Sequence, residues 1–145
     1  MSDSDGFYTL KGYQKNQRPE LTAAMEDYLE MIYRISSSNK RVRTVELSQM
    51  LHVKPSSVTK MITQLTSAGF VNSQKYGYIE LTDKGKREGE YLLNRHRILN
   101  EFFCALNGTD NELEQVEKTE HFFSRKSIER LEKWTEIIKN NSIGE

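Results

Sequence analysis

No part of the chain restricts its fold more than residues 44–82, TVELSQMLHVKPSSVTKMITQLTSAGFVNSQKYGYIELT. Thr44 can cap a short helix in which Leu47, Met50 and Leu51 face inward, with Val53 just beyond. Pro55 then stands at the natural first position of another helix, so the two meet across HVK. In this next helix, PSSVTKMITQLTSAG, the residues Val58, Met61, Ile62 and Leu65 form one apolar stripe and Gly69 is a stop. After Gly69 the pattern changes to FVNSQ, KYGY and IELT, two short strands around a Gly-containing turn. Two short helices, a tight connection and a hairpin make a winged helix-turn-helix, whose second helix is the one to enter a major groove.

The flanks are helical by the same test. Leu21, Met25, Tyr28, Leu29, Ile32 and Ile35 recur at three- and four-residue steps before SSSN at 36–39 ends the run. Thr82 and Asp83 can cap a long helix to about Leu106, with Tyr91, Leu92, Ile98, Leu99, Phe102 and Phe103 among its apolar positions. Gly108 breaks it, Thr109 or Asp110 starts a fifth helix to about Phe123, and Ser124 starts a sixth, in which Ile128, Leu131, Trp134, Ile137 and Ile138 point inward. The expected fold class is mainly α, with a winged helix-turn-helix over residues 21–82 and an all-helical domain over 83–145. Residues 1–20, polar and rich in Ser, Asp, Gly and Gln, read as a flexible lead-in with little order.

A chain of 145 residues has room for one domain or two small ones sharing a core, which excludes a large enzyme. Its 36% hydrophobic and 29% charged residues suit a globular chain and fit neither disorder nor a membrane protein. The N-terminus has no apolar run that could form the core of a secretory signal, so a cytoplasmic location is expected. Cys104, the single cysteine, can form neither an intramolecular disulfide nor a thiolate zinc site. The 21 Lys+Arg balance the 21 Asp+Glu, but unevenly along the chain. Residues 1–39 hold four basic against six acidic side chains, 40–90 nine against five, and 91–145 eight against ten. A basic centre between acidic flanks suits an anionic partner in the middle and a cation elsewhere.

The groove-facing chemistry is specific. On a helical wheel Ser56, Thr59, Lys60, Thr63 and Ser67 lie opposite the apolar stripe, with Ser57 and Gln64 at its edge. From Lys54 to Gly69 there is no Asp or Glu, whereas an ordinary solvated face mixes Glu with Lys. That face offers donors and acceptors to phosphates and base edges. Lys75 and Tyr76 at the hairpin tip are placed to press on the adjacent backbone or minor groove of double-stranded DNA.

A second constellation concerns cations. Asp27 and Glu30, three residues apart on the first helix, share a face away from the Met25/Tyr28/Ile32 stripe. Glu117, Glu120 and His121 form an i, i+3, i+4 cluster beside Leu113 and Val116, at the edge of an apolar stripe where unpaired charge is costly. A metal ion and Arg or Lys partners offset that cost equally well by spacing alone. His96, midway along the long helix, is a further source, while His52 before the recognition helix reads as exposed.

Taken together, MEDYLEMIY at 25–33, VKPSSVTKMITQL at 53–65, YGYIELTDKGK at 76–86, RHRILNEFF at 95–103 and VEKTEHFFSRKSIERL at 116–131 carry a resemblance. From Leu21 to about Lys139 the chain resembles the metal-dependent repressors of the diphtheria toxin repressor family, most closely the manganese transport regulator branch. The resemblance implies that residues 83–145 form a dimerisation and metal-binding domain, and that Asp27, Glu30, His96, Glu117, Glu120 and His121 hold up to two ions per protomer. Where the iron-responsive branch resembles Met and Cys, this chain has Asp27 and Glu117, and hard oxygen ligands suit Mn²⁺. Affinity order still lets Fe²⁺, Co²⁺, Zn²⁺ or Cd²⁺ bind in vitro. Ending at 145, the chain leaves no room for the SH3-like third domain of the longer members. The implied function is a manganese-activated homodimeric repressor on a palindromic operator of metal-uptake genes, with no catalytic residues. An iron-responsive member, a metal-independent winged-helix regulator responding to a small molecule, and a two-metal hydrolase stay open.

Overall fold

The computed structural model describes residues 8–16, 21–73 and 77–141. Along the chain lie α1 (Leu10–Asn16), α2 (Ala23–Ser37), β1 (Val42–Arg43), α3 (Thr44–Met50), α4 (Pro55–Ser67), β2 (Val71–Ser73), β3 (Tyr78–Leu81), α5 (Asp83–Asn107), α6 (Leu113–Thr119), a 3₁₀ turn (Glu120–Phe122) and α7 (Arg125–Asn141). The expected hairpin is part of a three-stranded antiparallel sheet in the order β1-β3-β2, with Val42 opposite Ile79 and Val71 opposite Leu81. Strand β1 was not foreseen: only Val42 of Arg41–Arg43 is buried, an alternation too short to stand out as a strand.

Local signals explain the helix ends. Thr22 caps α2 by accepting from the Met25 amide at 3.2 Å, and Thr82 caps α5 by accepting from the Gly85 amide at 3.0 Å. Pro55 opens α4, and Gly108 ends α5 with φ 67°, the left-handed conformation that glycine adopts without strain. Between α3 and α4 the backbone turns at His52, φ 55°, and Ser48 Oγ donates to the Val53 carbonyl at 2.8 Å, fixing the tight connection.

Two cores follow. Leu29, Ile32, Leu47, Val58, Leu65, Phe70 and Leu92 pack α2, α3, α4, the sheet and the first half of α5 together. Ile98, Leu99, Phe103, Val116 and Ile128 join the second half of α5 to α6 and α7. The long helix belongs to both, and glycine lets it approach: a Cβ on Gly89 would lie 2.7 Å from Tyr33 Cβ, and one on Gly85 would lie 2.0 Å from the Phe70 carbonyl oxygen.

Several expectations are corrected. The lead-in contains α1, a seven-residue helix begun by Thr9, whose hydroxyl accepts from the Gly12 amide at 3.2 Å. The fifth helix breaks at Glu120 into a 3₁₀ turn instead of running to Phe123. Met50, at the last position of α3, is exposed, because α4 turns away after His52. Trp134 and Ile137 are 59% and 44% exposed, since in the protomer α7 buries only its Ile128/Thr135 side against α5. His52 is exposed, as expected.

Candidate nucleic-acid face and metal centre

Helix α4 presents Ser56, Ser57, Thr59, Lys60, Thr63 and Gln64 to solvent, while Val58, Ile62 and Leu65 are buried beneath them. The Thr59 and Thr63 hydroxyls donate to the carbonyls of Pro55 and Thr59 at 3.2 and 3.0 Å, which leaves their oxygen lone pairs turned outward as acceptors. Lys75 and Tyr76 lie outside the described residues. Sequence reasoning passed over a cationic pair beside the hairpin: the Arg41 and Arg43 guanidiniums stack on Tyr78 at 4.8 and 4.6 Å from its ring centre, and Arg43 Nη2 donates to the Tyr78 hydroxyl at 2.9 Å. The pattern RVR was the available signal, but it is legible only once β1 is known.

The second constellation gathers where α2 crosses α5 and the 3₁₀ turn. Asp27, Glu120 and His121 bring ligand atoms within 4.8 Å of one another, and so do Glu30, His96 and Glu120, so Glu120 stands in both triads. His121 Nε2 lies 3.1 Å from Asp27 Oδ1 and 4.0 Å from Glu120 Oε1. His96 Nδ1 lies 3.1 Å from Glu120 Oε2, 3.5 Å from Glu117 Oε1 and 3.9 Å from Glu30 Oε2. The Glu117 side chain, 57% exposed, belongs to neither triad and sits at the rim. The break at Glu120 turns that carboxylate inward, where it is 1% exposed.

Burying so many carboxylates is expensive without a compensating cation. In this chain protons and arginines supply it. The Asp27 and Glu26 carboxylates hold the His121 imidazolium up to about 10, and the hydrogen bond to Glu120 raises His96. Burial pushes Glu30 up, against the two bonds it accepts from Arg34, and burial followed by the Glu120 charge pushes Glu117 up. The imidazoles thus lie between the carboxylate oxygens, and carboxylate with imidazole is a donor set for a hard or borderline metal.

Two further groups were missed. Glu26, adjacent to Asp27, accepts from His121 Nδ1 at 2.7 Å, and Arg95, its side chain 3% exposed, reaches Glu26 at 3.3 Å and Glu120 at 3.9 Å. Burial works against the Glu26 charge, but His121 and Arg95 together hold its carboxyl below the ordinary range.

A winged helix carrying a carboxylate–imidazole cluster against its own helical extension defines the class: an ion-responsive DNA-binding regulator. Residues 20–79 match the N-terminal DNA binding domain of the iron dependent repressors and residues 82–144 their metal binding and dimerisation domain. The chain belongs to the iron dependent repressor family, which is a family of transcriptional regulators and not of enzymes; this removes the hydrolase reading. The HTH-type transcriptional regulator MntR of Oceanobacillus iheyensis is 40% identical over 111 residues, 76% of each chain. An uncharacterised HTH-type transcriptional regulator of Methanocaldococcus jannaschii is 37% identical over 123 residues, 83% of this chain and 98% of that one. The solved manganese regulator SloR superposes with a TM-score of 0.68 at 30% identity over 77% of this chain, which spans only 53% of SloR. Among the described residues no helix is long and apolar enough to cross a membrane.

Proposed function

We propose that this chain is a manganese-activated, homodimeric, cytoplasmic repressor that binds a palindromic operator of metal-uptake genes. The observation that carries the reading is the pair of triads sharing Glu120, assembled from α2 of the winged helix and from α5 and the 3₁₀ turn of the helical extension. Asp27, Glu30, His96, Glu117, Glu120 and His121 are the ligands, Glu117 closing in from the rim. Oxygen donors at Asp27 and Glu117, with no thiolate or thioether among the six, favour Mn²⁺ over softer ions.

A bound divalent ion supplies the positive charge that protons and arginines otherwise provide. Without it, Asp27 and Glu30 on α2 and Glu117 and Glu120 on the extension are balanced only by protons and arginines, a looser tie that leaves the winged helix a wider range of orientations. With their charges balanced by the ion, the two elements are tied, and the α4 helices of a dimer keep a separation near one helical turn, about 34 Å. Ser56, Ser57, Thr59, Lys60, Thr63 and Gln64 then read the groove, with Lys75 and Tyr76 on the wing. Metal and operator raise each other's affinity by the same factor.

Fluorescence anisotropy on a candidate palindromic operator tests this in chelator, Mn²⁺, anaerobic Fe²⁺, Co²⁺, Zn²⁺ and Cd²⁺. Tight binding with Mn²⁺, weak binding in chelator and loss of the response in Glu120→Ala are expected. Equal binding throughout would instead leave a winged-helix regulator answering to a small molecule, and a response to Fe²⁺ but not Mn²⁺ an iron-responsive one.

A further inference from the structure

We infer that Glu26, seated on Arg95, is a positioning residue that decides which nitrogen of His121 faces the cation. This rests on the reading of the cluster as a metal centre. An imidazole offers an ion one nitrogen only, and what the other nitrogen bonds fixes the choice. Here His121 Nδ1 lies 2.7 Å from Glu26 Oε1, while Nε2 points at Asp27, 3.1 Å away, and at Glu120, 4.0 Å away. Arg95 Nη2 also approaches Nδ1, at 3.4 Å, but the Glu26 oxygen is far closer and can only accept, so the Nδ1 hydrogen belongs to Glu26 and Nε2 is the ligating atom.

Glu26 is held in turn. Arg95 Nη1 donates to its Oε2 and Nη2 to its Oε1, each at 3.3 Å, so the guanidinium grips both oxygens. Three hydrogen-bond donors fill most of the acceptor positions of one carboxylate, which marks Glu26 as the support of a ligand and not a ligand itself. Arg95 is anchored from below by the ring of Tyr91, 6.0 Å from its Cζ, and is buried. His96 has no such device: its Nδ1 already faces Glu120, Glu117 and Glu30 directly. Glu26 thus acts chiefly on the Asp27–Glu120–His121 triad, and the two triads differ in how firmly their imidazole is aimed. A plain salt bridge fastening α2 to α5 would need the Glu26–Arg95 contact but would be indifferent to the His121 nitrogen.

The test uses the full chain, with Mn²⁺ titrated calorimetrically and ¹⁵N-histidine NMR on the Cd²⁺-loaded protein. In the wild type His121 should bind Cd²⁺ through Nε2 with Nδ1 protonated; binding through Nδ1 overturns the inference without any variant. Glu26→Gln should lower Mn²⁺ affinity by about 10- to 100-fold in one class of site, with the smaller loss at the Glu30–His96–Glu120 triad. Glu26→Asp, which keeps the charge but retracts the oxygens, should resemble Glu26→Gln, whereas a role by charge alone leaves it like the wild type and refutes positioning. Unchanged affinity in Glu26→Gln also refutes it. If the wild type itself takes up no Mn²⁺, the metal-centre reading fails first, and this failure is separate from the one seen in the variants.

Discussion

Glu120 is the residue on which both triads depend, and its carboxylate is almost wholly buried. Glu120→Gln keeps its volume and removes its charge, so Mn²⁺ uptake should fall at both classes of site together, measured by calorimetry; loss at only one class would show that the triads are independent. His121 gives a pH signature in the metal-free chain. Asp27 and then Glu26 hold its imidazolium up to about 10, above the unfolded value near 6.5. Protonation therefore stabilises the fold fully below about pH 6.5, and the contribution is lost as pH rises through about 10. Thermal unfolding in chelator should shift to lower temperature across that interval. His121→Gln should flatten the slope, and an equal slope in the variant would assign it to other groups.

At the scale of the element, the crossing of α5 over α2 and the sheet is set by two glycines one helical turn apart. Gly89→Ala should destabilise by about 1–3 kcal/mol, because its Cβ meets Tyr33 at Cβ and Cγ, the root of that side chain, so α2 and α5 must move apart. Gly85→Ala should lose more, since its Cβ meets the Phe70 carbonyl, which is backbone. Urea unfolding measures both, and a neutral Gly85→Ala would mean that α5 can slide. Helices α4 and α5 were legible because their apolar positions are periodic and their starts, Pro55 at the first position of α4 and the Thr82 cap of α5, are explicit. The break at Glu120 was not, because the periodic run of α6 carries no Gly or Pro there. Spacing paired Asp27 with Glu30 and Glu120 with His121 but left salt bridges equally open, and only the family resemblance joined His96 to them; burial of Glu30 was not legible, since α5, the helix that covers it, is itself polar at Arg95 and His96. Glu26 was hidden by its neighbour: adjacent helical positions point apart, so only the position of α5 shows that Glu26 and Asp27 flank the same histidine from two sides.

In the whole molecule, the exposed Trp134 and Ile137, three residues apart on α7, belong to the region matched to the metal binding and dimerisation domain. Trp134→Lys should therefore shift the sedimentation of the protein towards the monomer and weaken operator binding at saturating Mn²⁺, while leaving the metal stoichiometry per protomer unchanged. An undisturbed dimer would place the interface elsewhere. The reach of α5 has a mechanical meaning as well. Its 25 residues make a beam of roughly 37 Å, clamped near one end where Gly85 and Gly89 press on the winged helix. His96 lies about 10 Å beyond the Gly89 pivot, so a shift of about 1 Å there is a tilt of roughly 5°. A stiff beam with an off-centre fulcrum converts a small chemical displacement into a rotation, so what the cluster sets in the winged helix is an angle more than a distance.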